Sequence, residues 1–277
     1  MTAMKSFLKL ITFCIVLLLG FGIVTHFPTM ITAQSQPPTS SQGLPNTWGN
    51  YEPDPSIGKP GRREGGGTRG PCAFSRDPGK TLTALVPVIQ RKAGNSDTKT
   101  VAFGATIEGS PTFFFYVPPT AAQRADFSLQ DKNDQNIYQT TFSITGDPGI
   151  VSVTLPSFAN SGFLESKKDY FWSFALSCNS KAEDSSDRSG VLAVNGWIQR
   201  VQANPDLAQK LGQATLRDKV ALYTKAGIWY DALHSLAELR RSSPNDASLS
   251  GAWTNLLQSA GLDKLASEGL GQNALLP

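Results

Sequence analysis

Histidine is nearly missing from this chain of 277 residues: it has 2, His26 and His234, beside 3 cysteines and 3 methionines. His234 is the only imidazole beyond the N-terminal segment, and no nucleophile motif stands next to it. A Ser-His or Cys-His catalytic pair therefore has no visible basis. A zinc site of ordinary Cys/His composition is excluded too, because Cys14 lies in an N-terminal apolar run and only Cys72 and Cys178 remain. Charge is scarce, at 17% of residues. Without Lys5 and Lys9 of the N-terminal segment, 23 basic residues face 22 acidic ones. Such a balance leaves no electrostatic footprint for nucleic acid. The 25 Gly and 18 Pro rule out a coiled coil or a long helical array.

What is present begins with a leader. Residues 1–33 read as a secretory signal, with Lys5 and Lys9 ahead of an uncharged run from Leu10 to Val24 and Ala33 as the small residue at the cleavage point. Leu8 to Phe27 spans 20 residues, so an uncleaved anchor is the other reading, and it would be the only membrane contact. Lys9 and His26 within that window favour cleavage. Export to the periplasm or cell envelope agrees with the cysteines. In an oxidising compartment Cys72 and Cys178, an even pair 106 residues apart, most simply form a disulfide. Two buried free thiols are the alternative.

Residues 34–71 hold seven Pro and eight Gly and are expected to be a disordered linker. Over residues 72–200 the pattern is one of short strands: Thr81–Val88, Thr100–Glu108, Thr112–Val117, Asp126–Gln130, Asn136–Thr145, Ile150–Leu155, Asp169–Cys178 and Gly190–Gln199. These predict a mainly β domain, an antiparallel sandwich with a small barrel as runner-up. Residues 201–277 are helical. Asn204-Pro205 opens a helix that stops at Gly212, and others are predicted over 215–226, 228–241 and from Ser248 to Gly261. The helices are expected to pack on the sandwich. Tyr223, Gly227, Trp229, Ala232, Leu236 and Pro244 fall at the spacings of one tetratricopeptide-like αα-hairpin, although Trp253 is three residues late for a second unit.

Few motifs carry chemistry. The string from Gly61 to Gly70 imitates a phosphate loop, but Gly67 stands where the lysine belongs, and no strand and helix frame it. Asp131, Asn133 and Asp134 are explained by turn chemistry. Glu183, Asp184 and Asp187 lie in a Ser-rich loop without calcium-loop spacing. No catalytic residue, metal or cofactor is assigned. The aromatic strands are harder to dismiss. Alternation sends Phe113 and Phe115 to one face and Phe114 and Tyr116 to the other, so both faces need cover. One face can pack on a second sheet and the other on the helices. Alternatively, Phe114, Tyr116 and Trp172 form a contact surface for a sugar ring or an extended partner chain.

Several strings, among them Gly70-Pro71-Cys72, Leu82-Thr83-Ala84-Leu85-Val86-Pro87, Phe114-Phe115-Tyr116-Val117-Pro118, Gly196-Trp197-Ile198-Gln199-Arg200 and Ala226-Gly227-Ile228-Trp229-Tyr230-Asp231-Ala232-Leu233, resemble an uncharacterised exported cyanobacterial family, a domain of unknown function. The resemblance covers about residues 60–265. It implies export and a shared fold, and it transfers no catalytic residue. The expected function is that of a non-catalytic binding or structural module of the cell envelope, with an envelope protein or glycan as partner. A carboxylate-based hydrolase acting on envelope polysaccharide is the alternative, because paired carboxylates meet in space and leave no trace in sequence.

Overall fold

Turn residues and alternating apolar positions divide the described residues into ten strands: β1 (Thr83–Ala84), β2 (Val88–Ala93), β3 (Asp97–Thr106), β4 (Thr112–Val117), β5 (Arg124–Gln130), β6 (Asn136–Ser143), β7 (Gly149–Thr154), β8 (Asp169–Ser177), β9 (Val191–Arg200) and β10 (Leu270–Asn273). Four helices lie between β9 and β10: α1 (Pro205–Gln213), α2 (Leu216–Ala226), α3 (Trp229–Ser242) and α4 (Ala247–Ser259). The computed structural model describes residues 48, 51, 59, 61–65, 72, 80–93, 97–157, 162–178 and 190–273. The expected leader and the acidic loop at 183–187 lie outside the described residues.

One sheet has the order β1-β4-β7-β10 and the other β2-β3-β9-β8-β5-β6; neither is closed. Both are mixed, which corrects the expectation of an antiparallel architecture. β3 pairs with β9, and β7 with β10, in parallel. Hairpin partners must be antiparallel, but these pairs are joined by long crossovers that free their direction. The expected strand Thr81–Val88 is also split. Pro87 has no amide to donate to a ladder, and the chain leaves one sheet after Ala84 and enters the other at Val88. The carbonyl of Pro87 accepts from the Phe103 amide at 3.1 Å as the chain crosses.

β4 organises the core, for all six of its residues are buried. Phe113 lies 5.0 Å from Phe127 and 6.1 Å from Trp172, and Phe115 stacks on Phe174 at 4.1 Å. Those partners belong to β5 and β8, so one face of β4 meets the six-stranded sheet. The other face meets the helices. Ser152, the register partner of Phe114 on β7, accepts at 3.3 Å from the guanidinium of Arg241 near the end of α3.

Three of the four helices begin at a capping side chain; α3 begins after Ile228 without one. Asn204 and Thr215 accept from the amides of Leu207 and Asp218, and Asp246 accepts from that of Ser248. Gly227 ends α2 at φ 76°, a left-handed conformation that glycine adopts without strain. No described helix is long and apolar enough to cross a membrane. Every residue of α3 from Trp229 to Leu233 is buried, and the Trp229 indole N–H donates to the Leu85 carbonyl at 2.8 Å. The helix lies so near β3 that a Cβ on Gly104 would come within 2.8 Å of the Tyr230 ring.

Parts of the stretch expected to be disordered are tied to this core. Trp48 is buried and meets Trp229 edge-on at 4.7 Å. Arg62 bridges to Asn195 and Glu64 to Thr83, while Arg63 donates to the Ala260 carbonyl at the end of α4, at 2.7 Å. A tryptophan to bury and backbone groups to pair outweigh the Gly/Pro composition at these positions. Cys72 is fully buried and lies at disulfide distance from Cys178, with Cα atoms 5.3 Å apart.

Two outcomes follow from this packing. Replacing both Cys72 and Cys178 by Ser, or reducing the pair, is expected to lower unfolding stability by about 2–5 kcal/mol in a urea titration. A midpoint indifferent to reductant would show that the two thiols are not bonded. Trp229→Phe keeps an aromatic ring but removes the donor to Leu85, and is expected to lower stability by about 1–3 kcal/mol.

Candidate functional site

The ends of three strands and the start of α3 enclose a cavity of about 210 Å³. Thr106 closes β3, Thr112 opens β4 and Thr154 closes β7. Thr112 and Thr154 are register partners whose hydroxyls lie 2.9 Å apart. The Ser110 hydroxyl donates to the Pro156 carbonyl at 2.9 Å. The Glu108 amide donates to the Thr106 hydroxyl at 3.0 Å, and this turn sets the Glu108 side chain in solvent at the rim.

From the other side α3 contributes Asp231, His234 and Ser235. Positions i, i+3 and i+4 share one helix face, so the spacing aims all three at the cavity. Tyr223 of α2 completes that wall. Asp231 is 5% exposed, and neither of its carboxyl oxygens has a hydrogen-bond partner of ordinary geometry among the described residues. Burial raises its pKa to about 7; the Thr106 hydroxyl and the Ile107 amide lie near enough to oppose the rise, and Glu108 adds to it. Burial also pushes the Tyr223 hydroxyl up to about 12, with Asp231 and Glu108 contributing. His234 is held below its ordinary value by burial, and its Nδ1 is likewise buried without a partner.

An acidic residue in the first turn of a helix is ordinary, because it faces the positive end of the helix dipole. That explains the residue type but not its burial without hydrogen-bond partners. A carboxyl group that titrates near neutrality inside a cleft is instead the pattern of a working site. Such a group can donate a hydrogen bond when protonated, accept two when ionised, or transfer a proton. Among the described residues, no three metal-ligating side chains converge, so Asp231, Glu108 and His234 do not form a cage for an ion.

A larger hollow of about 600 Å³ lies between Lys59, the turn at 131–134 and residues 163–170. Its groups are mostly satisfied internally. Lys59 pairs with Asp134, and Lys168 with Glu165 at 2.7 Å. The Tyr170 hydroxyl accepts from the Glu165 amide, and the Trp197 indole donates to the Lys59 carbonyl. Asp131 accepts from the amides of Asn133 and Gln135, the turn role that sequence assigns it, and these bonds hold its pKa below the usual value.

The aromatic contact surface needs correction. Phe114, Tyr116 and Trp172 are 2%, 2% and 1% exposed, so none of them offers a platform to a partner. Trp172 lies against Phe113 and Phe115, and on the other face of β4 Arg241 of α3 reaches Ser152, the register partner of the buried Phe114. Sequence reasoning missed Asp231 and Glu108 and gave His234 no chemistry. The available signal was a polar series, Asp231, His234, Ser235 and Glu238, at helical spacing within a segment otherwise rich in Trp, Leu and Ala.

The model of one protein family, the Domain of Unknown Function DUF928, matches residues 64–270. The chain belongs to the DUF928 family. The match runs from the Glu64 bridge to the first residue of β10 and takes in Cys72, Cys178 and every residue that lines the cleft. The cleft is therefore part of the DUF928 domain itself. No curated protein matches the sequence.

Removing the Asp231 charge tests the electrostatics directly. A carboxyl group whose pKa is higher folded than unfolded destabilises the fold as it ionises, so stability falls as pH rises from about 4 to about 7 and then levels off. Asp231→Asn is expected to flatten that slope and to stabilise the protein at pH 8 by up to about 4 kcal/mol. A stability profile that the substitution leaves unchanged would show that Asp231 is solvated or paired in solution.

Proposed function

We propose that this DUF928 protein is an exported, non-catalytic binding module of the cell envelope, and that the cleft beneath α3 receives part of its ligand. The observation that carries this reading is the lining: hydroxyl groups and unsatisfied buried acceptors converge on one small cavity. Export is supported by the leader-like N-terminus and by a buried cysteine pair at disulfide distance. The resemblance to an exported cyanobacterial family fits the same reading. We read the two sheets, whose aromatic side chains interlock through Phe113 and Phe115, as a sandwich. We read α2 and α3 as a single tetratricopeptide-like hairpin, with Ala232 at the close approach and Gly227 at the turn. One unit makes no groove, and its work here is to cover β4.

A second reading, a carboxylate-based hydrolase of envelope polysaccharide, is favoured by one observation: Asp231, with a pKa of about 7, shares the cleft with Glu108. The two readings separate in one assay. Purified protein is incubated with peptidoglycan and envelope glycan fragments, and both binding and product release are followed. Saturable binding without turnover is the expected outcome. Turnover that disappears in Asp231→Asn or Glu108→Gln would make the protein an enzyme.

A further inference from the structure

We propose that the cleft beneath α3 selects a small hydroxylated ligand that carries an ammonium group, of the amino-sugar class. This rests on the binding reading above and names the ligand chemistry of the same site.

The argument begins with charge. Two carboxyl groups line the cavity, Glu108 at its rim and Asp231 in its wall, and no lysine or arginine lines it. The guanidinium groups around it are committed elsewhere: that of Arg200 to the carbonyls of Ile107 and Leu164, and that of Arg241 to Glu238 at 2.6 Å and to Ser152 at 3.3 Å. An anionic ligand would meet two carboxylates with no counter-ion, which is repulsive at short range and low dielectric. A wholly apolar ligand would leave the buried oxygens of Asp231 with no donor of ordinary geometry, only the Thr106 hydroxyl and the Ile107 amide standing near. An ammonium group supplies what is missing: positive charge and up to three N–H donors.

The rest of the lining argues for hydroxyls on the ligand. Thr106, Ser110, Thr112, Thr154, Tyr223 and Ser235 present hydroxyl groups, which can both donate and accept. The rings of Tyr230 and Pro111 supply apolar contact among them. At about 30 Å³ per water, the cavity has the volume of about seven waters. That suits one small polar unit and excludes a long chain lying wholly inside.

The sign of the pH dependence follows from the groups around Asp231: Glu108 and the Thr106 hydroxyl at the end of β3, Tyr223 on α2, and His234 in the same cavity wall, which in turn feels Glu238 and Arg241. The ligand prefers ionised Asp231. Binding should therefore strengthen as pH rises through about 7, and should release a proton when measured just below that pH.

The test is calorimetric titration of the full chain with glucosamine, glucose, N-acetylglucosamine, glucuronate and ethanolamine, at about pH 5.5 and about pH 7.5, where the amine of glucosamine still carries its proton in good part. Glucosamine is expected to bind about tenfold or more tightly than glucose or N-acetylglucosamine at the higher pH, and to lose most of that advantage at the lower. Ethanolamine distinguishes a free small amine from an amino sugar: binding as tight as that of glucosamine would remove the sugar from the proposal and overturn it. Asp231→Asn should bring glucosamine down to the level of glucose, and the exposed substitution Glu108→Gln should narrow the gap without affecting folding. Equal binding of glucose and glucosamine, tighter binding of glucuronate, or binding of none of the five overturns the inference. Those results leave the binding reading intact, because other envelope fragments still test it; glycan turnover, by contrast, would overturn the binding reading and leave the ammonium preference to be read separately.

Discussion

Because both faces of strand β4 are apolar, nothing in this fold is complete until each is covered, and the two covers come from different parts of the chain. Phe113 and Phe115 pack against Phe127, Trp172 and Phe174 of the six-stranded sheet. α3 reaches both faces: its Tyr230 meets Phe113 at 5.2 Å, and its Arg241 donates to Ser152, the register partner of Phe114. A strand buried on both sides reads as a continuous apolar run, and Phe113-Phe114-Phe115-Tyr116 is such a run. It follows that the helices are part of the β core. Their removal would expose Phe114 and Tyr116, a patch that a lone soluble domain rarely tolerates.

The same constraint draws in segments whose composition argues for disorder. Trp48 closes over Trp229, Arg63 reaches the carbonyls at the end of α4, and Cys72 anchors beside Cys178. Each is a single anchoring residue in a Gly/Pro-rich stretch. Composition averages over such residues and hides them, whereas the energetics is local: one buried indole or one capped helix end is enough to hold the backbone around it.

What sequence made legible follows from the range over which each signal acts. β4 runs over the predicted residues 112–117, and all four helices end near their caps or glycines, because alternation, N-caps and C-terminal glycines are local. The break at Pro87 was also local and was readable from its missing amide. The parallel pairings of β3 with β9 and β7 with β10 join residues about a hundred apart in sequence, and no local pattern encodes them. β10 in particular follows four helices and, at four residues with one apolar side chain, is too short to announce itself. The cleft failed to show for the same reason. Glu108 and Asp231 have unremarkable neighbours in sequence, and only the packing of α3 over the strand ends brings them to one cavity.

That packing also shows which feature of the cleft the fold does not require. Some buried polar groups of the core are paired, the Trp229 indole with Leu85 and the Thr112 and Thr154 hydroxyls with each other, while others, among them the Tyr230 hydroxyl and the Trp172 and Trp253 indoles, lack a hydrogen-bond partner of ordinary geometry among the described residues. Asp231 differs from these in bringing an ionisable carboxyl group, both of whose oxygens lack such a partner, to the wall of a cavity. A smaller or amide side chain would fill its place on α3 without bringing a carboxyl group under the strand ends, and an exposed position one step round the helix would serve the dipole equally well. Burying a carboxyl group with so few donors around it opposes folding, and neither packing nor the helix dipole requires it at this depth. On the binding reading, a ligand group entering the cavity would supply the donors that the chain does not.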